Sequence, residues 1–191
     1  MNARENPFRT SRVLQVRYRP LDGTWDGLMA RLAGLDYRAA IVGHEGSGKT
    51  TLLEDLAPRL AALGFSVRRA FLNGGSRAPE PPLDRAFFAD LGGTDVILID
   101  GADLMGGLAW MRLRRKARKA AGLVITSHRP GRLPTLVRCR TTPELLDDII
   151  GEMLGEETRP AASTARKLFD KHEGNLRDAL RDLYDMCAGF A

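Results

Sequence analysis

Residues 43–50 read Gly-His-Glu-Gly-Ser-Gly-Lys-Thr, and no other stretch constrains the fold as tightly. An apolar run, Tyr37–Val42, leads into it. Leu52, Leu53, Leu56, Ala57, Leu60 and Leu63 follow at helical spacing, and Gly64 closes the stripe. A strand that enters a glycine-rich turn and leaves as a helix is built to hold phosphate. Glycines let the backbone wrap closely around an anion with N–H groups pointing inward, and the helix N-terminus adds partial positive charge. The spacing therefore predicts a phosphate cradle made of Gly43, His44, Glu45, Gly46, Ser47, Gly48, Lys49, Thr50 and Thr51. In it Lys49 reaches the β- and γ-phosphates and the Thr50 hydroxyl ligates Mg²⁺. The alternative, a glycine-rich turn arising by chance, leaves the strand before it and the helix after it unexplained.

Strands and helices alternate on both sides of this motif. Trp25, Leu28, Met29, Leu32 and Leu35 mark one face of a helix, which Gly34 ends. Residues 7–20 read as irregular or weakly strand-like. Phe65–Leu72 is a second strand, followed by an Asn-Gly-Gly-Ser loop at 73–76 and a proline-rich connection at 78–82. Leu83, Phe87, Phe88 and Leu91 predict a short helix. Asp95–Asp100 is a continuous apolar run ending in a carboxylate, as expected of a strand buried on both faces of a parallel sheet. A helix over about 103–120, a strand at Gly122–Ser127 and a fifth strand at Thr135–Arg140 complete the alternation. From Thr142 onward the pattern is helical only: Leu145, Leu146, Ile149, Ile150, Met153 and Leu154, then Ala165, Leu168, Phe169 and His172, then Leu176, Ala179, Leu180, Leu183, Tyr184 and Cys187. The expected fold is α/β: a three-layer sandwich around a mostly parallel five-stranded sheet, with a small C-terminal all-α lid. The expected division is an N-terminal extension over 1–23, a nucleotide-binding core over 24–142 and a helical lid over 143–191.

Charge breaks at the same place. Residues 1–142 hold 23 basic and 13 acidic residues; residues 143–191 hold 6 and 11. A basic body with an acidic end suggests two units with different surfaces. Because 24 of the 29 basic residues are Arg, a GC-rich coding sequence is an alternative source of the excess. The composition excludes other classes. No stretch has the roughly 18 apolar residues of a membrane span, and the first residues lack the apolar centre of a signal peptide. Cys139 and Cys187, each in an apolar pattern, read as buried free thiols of a cytoplasmic protein. Three scattered histidines give no zinc signature.

Asp100 closes Val96-Ile-Leu-Ile-Asp100, where a second Mg²⁺ contact belongs beside a phosphate loop; a simple turn cap is its other reading. With residues 43–50, this pair resembles the Walker A and Walker B signatures of P-loop NTPases, and the chain is similar to the AAA+ class of ATPases over about residues 24–190. That resemblance implies binding and hydrolysis of ATP with Mg²⁺. AAA+ modules often carry a Glu after the Walker B Asp to activate water; here Gly101 stands there. Asp103 is the nearest substitute, with capping of a helix as its structural alternative, and Glu45 is a weaker one. Ile125-Thr-Ser-His-Arg-Pro130 looks like the AAA+ sensor 1 strand end. The match puts His128 at the sensor position with Ser127 as fallback, against a plain loop histidine. Residues 173–181, Glu-Gly-Asn-Leu-Arg-Asp-Ala-Leu-Arg, resemble the opening of the sensor 2 helix. Asn175 would then cap it and Arg177 would point toward the nucleotide; a solvated helix arginine is the alternative. The resemblance also implies catalytic roles for Lys49, Asp103, His128 and Arg177. Arg129 and Arg132 fall in the interval where AAA+ proteins carry an arginine finger, so a homo-oligomer is one reading.

Arg112, Arg114, Arg115, Lys116, Arg118 and Lys119 place six cations in eight positions, with Leu113, Ala117 and Ala120 left for docking on the sheet. Contact with a nucleic-acid backbone, an acidic protein partner and a solvated face all remain open. Three functions compete: an ATPase driving rearrangement of the lid or a partner, a nucleotide switch with little hydrolysis, and a small-molecule or nucleotide kinase. A GTPase is disfavoured by the lack of Asn-Lys-x-Asp, and an ABC-type ATPase by the lack of an LSGGQ-like sequence.

Overall fold

The computed structural model describes residues 6–72, 83–155 and 160–189. The loop expected at 73–76 and the proline-rich connection at 78–82 lie outside the described residues.

All five strands are found and all run parallel. They are β1 (Arg38–Val42), β2 (Ser66–Phe71), β3 (Asp95–Asp100), β4 (Gly122–Ser127) and β5 (Thr135–Arg138), in the order β2-β3-β4-β1-β5. β3 and β4 are buried along their whole length, as their uninterrupted apolar runs require. β2 and β5 are the edges and carry the exposed positions. β1 lies between β4 and β5, and the Gly43 N–H continues its ladder by donating to the Ser127 carbonyl at 3.2 Å. The segment after Gly43 thus leaves the carboxyl end of an interior strand, where parallel sheets place their ligands.

The helices follow the apolar stripes. α1 (Thr10–Val13) is a single turn in the segment read as irregular or weakly strand-like. α2 (Trp25–Gly34) starts at Thr24, whose hydroxyl accepts from the Gly27 N–H at 3.1 Å, and buries Leu28 and Leu32. α3 (Lys49–Ala62) buries Leu52, Leu53, Leu56 and Leu60. The helix expected over 103–120 is three pieces: a 3-10 turn at Ala102–Leu104, α4 (Gly107–Lys116) and a second 3-10 turn at Ala117–Lys119. Its far end is fixed by Arg38, whose guanidinium takes the Ala117 and Ala120 carbonyls at 3.2 and 2.6 Å. The short helix expected around 83–91 is instead a run of turns. Arg68 on edge strand β2 draws off the Phe87 and Ala89 carbonyls at 2.8 and 2.6 Å, and Asp90 takes φ +53°, outside helical space.

By packing, the chain divides into two compact units. The sheet unit comprises Arg19–Gly43 and Leu52–Arg138; its core includes Ile97, Ile99, Leu123 and Ile125 beneath Trp110 and Leu113. The helical unit comprises the residues up to Tyr18, His44–Thr51 and everything from Cys139 onward. It contains α5 (Pro143–Leu154), α6 (Ala162–Lys171) and α7 (Leu176–Ala188). Leu146, Ile149, Ile150, Leu168, Leu180 and Leu183 form its core, joined by Phe8 from the N-terminal segment. Each such side chain contributes about 1.5–3 kcal/mol by leaving water. Asn6 ties the same segment to the helices, its amide donating to the Tyr184 carbonyl at 2.8 Å. This division follows packing, whereas the boundary read at Thr142 follows charge and periodicity.

Candidate functional site

In the helical unit, the segment 44–51 is organised around one carbonyl. The His44 oxygen accepts from the Ser47 N–H at 3.4 Å, from Ser47 Oγ at 2.7 Å and from Lys49 Nζ at 2.7 Å. Gly46 and Gly48 hold φ of +69° and +82°, the left-handed region that a side chain disfavours. A side chain at 46 would run into Asn175, and one at 48 would start 3.6 Å from the Tyr18 ring. Lys49, Thr50 and Thr51 then form the first turn of α3.

His44 links this loop to the turn before α7. Its Nδ1 lies 2.7 Å from the Glu45 carbonyl and so carries a proton. Its Nε2 lies 3.1 Å from Thr141 Oγ1, and the Thr141 hydroxyl donates its own proton to the Gly174 carbonyl at 2.9 Å. Glu173 and Gly174 turn the chain with φ of +50° and +81°. Asn175 then caps α7, its Oδ1 accepting from the Arg177 and Asp178 N–H groups at 3.1 and 3.3 Å. Arg177 stands exposed in that first turn. Cys139 is buried nearby; burial pushes its thiol up, while a bond from Tyr18 and the Lys49 charge pull the other way.

In the sheet unit, a second cluster forms where β3 and β4 end. Asp100 is buried; the Thr126 hydroxyl donates to its Oδ1, and the Gly101 N–H donates to Thr126 Oγ1 at 2.7 Å. Asp103 caps no helix, contrary to the structural alternative drawn from its spacing. It lies inside the 3-10 turn, while Gly106 occupies the N-cap position of α4. Its Oδ2 is 2.6 Å from His128 Nδ1, so two residues singled out separately form one carboxylate–imidazole pair. Ser127 Oγ is engaged with the Arg129 backbone, donating to its carbonyl at 2.8 Å. Arg132 donates to the Met105 carbonyl at 2.6 Å and lies 5.1 Å from the Trp110 ring centre, whereas Arg129 is exposed.

Gly101 explains the absence of a carboxylate after Asp100. Its φ is +77°, and a Cβ there would lie 2.6 Å from the Leu72 carbonyl oxygen. That oxygen is fixed by backbone, since the Leu72 N–H is bound to the Asp100 carbonyl at 2.9 Å. Thr141 and Tyr18 are the residues that sequence reasoning missed. The Thr-Thr pair before α5 signals only the cap, which Thr142 provides by accepting from the Leu145 N–H at 3.1 Å. Tyr18 is an isolated aromatic in a basic stretch, with no spacing to mark it.

No protein-family model matches the chain, and no curated protein matches it in sequence. Its fold has counterparts among solved structures. A DNA replication initiation factor aligns with a TM-score of 0.57 at 17% identity, over 83% of this chain and 58% of the other. A point variant of Thermotoga maritima RuvB aligns with a TM-score of 0.55 at 17% identity, over 86% and 60%. The Thermotoga maritima RuvB Holliday junction branch migration motor gives 0.51 at 17%, over 87% and 63%. The chain spans about three fifths of the length of these proteins. The five-stranded parallel sheet with its flanking helices is the fold these structures share, in agreement with the α/β fold that the motif resemblance implied. Among the described residues, no helix is long and apolar enough to cross a membrane.

Proposed function

We propose that the chain binds ATP with Mg²⁺ through residues 43–51 and hydrolyses it, with the helical residues 143–191 as the part that responds. The observation that carries this reading is the loop itself. Two positive-φ glycines lead into a helix whose first turn holds Lys49 and Thr50, directly after an interior parallel strand. The donor set suits the ligand: loop N–H groups and an ammonium for phosphate oxygens, a hydroxyl and a carboxylate for a small hard cation. Thr50 and Asp100 would hold Mg²⁺, which when bound neutralises charge on the β- and γ-phosphates.

Asp103 and His128 supply the group that Gly101 cannot. The carboxylate fixes the ring's orientation, and the imidazole can align the attacking water and accept its proton. The contacts of Gly46 with Asn175 and of His44 with Thr141 and Gly174 link the phosphate loop to the first turn of α7, where Arg177 would meet the nucleotide. A second reading, a nucleotide switch with little hydrolysis, is favoured by Gly101 alone.

Phosphate release from ATP by the full chain, with and without Mg²⁺, decides between them. Steady release that needs Mg²⁺ and is lost in Lys49→Ala supports the ATPase. Tight ATP binding without release favours the switch. Unchanged ATP binding in Lys49→Ala overturns the site assignment.

A further inference from the structure

A groove of about 440 Å³ lies in the sheet unit, on the outer side of α4. Leu83, Phe88, Met105 and Leu113 make its walls apolar. Arg112 and Lys116, both exposed, line it together with one exposed carboxylate, Asp84, so cations outnumber it two to one, and Lys116 Nζ sits 4.6 Å from the Phe88 ring centre. Leu104, which also lines the groove, is 51% exposed; outside it Leu108 is 68% exposed, and Met111, farther round α4, 59%. Leu108 precedes Arg112 by one helical turn and Lys116 by two, so an exposed aliphatic side chain adjoins the two cations along one side of α4. None of the residues of the phosphate loop lines this groove.

Exposed aliphatic side chains in such a cluster mark an interaction surface. The mixture identifies the partner's chemistry. A nucleic-acid backbone would use the cations but leave Leu104, Leu108, Met111 and the groove in water. Phe88, the aromatic ring among the lining residues, is half-buried and has Lys116 over its face, which leaves a base little to stack on. A peptide segment with large apolar side chains and flanking carboxylates matches both features. We propose that the groove seats a short acidic segment of a partner protein. Its apolar side chains enter between Phe88 and Leu113, and its carboxylates pair with Arg112 and Lys116.

The test is a selection of random 16-residue peptides displayed on phage against the full chain, without nucleotide, so that its outcome is independent of the ATP reading. Enriched peptides should be net acidic with at least two large apolar residues. Fluorescein-labelled copies should bind in anisotropy titrations and lose at least tenfold in affinity to Lys116→Glu and to Ala109→Trp, which fills the groove. Leu108→Ser, a surface change, carries the test should Ala109→Trp fail to fold. Three outcomes overturn the proposal. The first is no enrichment, or peptides that bind these variants as tightly as the parent. The second is a 20-base-pair DNA duplex that binds through Arg112 and Lys116 while ignoring Leu108→Ser. The third is self-association of the chain that Lys116→Glu abolishes.

Discussion

The glycine-rich loop at 44–51 and the strand-end cluster are built on opposite principles. The loop works through backbone: glycine dihedrals, N–H groups and a carbonyl that gathers the donors of Ser47 and Lys49. The cluster at the ends of β3 and β4 works through paired side chains, Thr126 with Asp100 and His128 with Asp103. A backbone device is encoded in consecutive residues; a side-chain device is encoded in residues 25 or so apart that only strand register brings together. The difference predicts separable failures: damage to the loop abolishes binding, whereas damage to the cluster spares binding and slows turnover.

The sharpest break is Lys49→Ala, expected to weaken ATP binding by about 100-fold or more in calorimetric titration, since a charge-assisted phosphate contact disappears. Next come Asp100→Asn and His128→Ala. Each should leave ATP affinity within a few-fold while lowering Mg²⁺-dependent phosphate release by about 10²-fold, His128→Ala by removing the general base and Asp100→Asn by removing a Mg²⁺ ligand. Equal losses of binding in both regions would erase the distinction. Gly101→Glu should not raise hydrolysis. It should lower stability by about 2 kcal/mol or more in urea unfolding, because it strains a positive-φ site against a fixed carbonyl. Thr141→Val keeps the shape but removes the hydroxyl that bonds His44 and Gly174. A stability loss of about 1–2 kcal/mol is expected, with a rise of a few-fold in KM for ATP and little change in kcat.

The smallest effect concerns acid. Burial acts to raise the Asp95 carboxyl, but the Gly92 N–H and the Arg68 guanidinium at 3.0 Å outweigh it and hold its pKa below the usual carboxylate range. Lys171 and then His172 do the same for Asp182. A depressed folded-state pKa contributes stability above the unfolded value and loses it as pH falls through the folded one. Urea midpoints should therefore decline below about pH 4, the ordinary carboxylate range, and Asp95→Asn should flatten part of that decline.

What could be read from the sequence follows the same division. α2, α3 and the last three helices were legible because burial imposes a period on consecutive residues, and the interior strands because burial on both faces leaves an unbroken apolar run. The turns at 84–90 were not, because Arg68, on a different strand, captures the carbonyls a helix there would use. The Gly-rich loop and Asp100 were legible as motifs. The pairing of Asp103 with His128 was not, since nothing local links a 3-10 turn to the exit of β4. Thr141 was hidden for the same reason: its partners lie 97 and 33 residues away.

The strand exit at Gly101 also bears on which variants a lineage can sample. Every glycine codon lies one base from a codon for aspartate or glutamate, so an acidic residue is one mutation away at this position. The carbonyl of Leu72, anchored in the ladder between β2 and β3, makes that step costly. Any side chain at 101 in this backbone sits at a positive φ and crowds that carbonyl. Selection for turnover would therefore act on the neighbouring 3-10 turn, where Asp103 already stands.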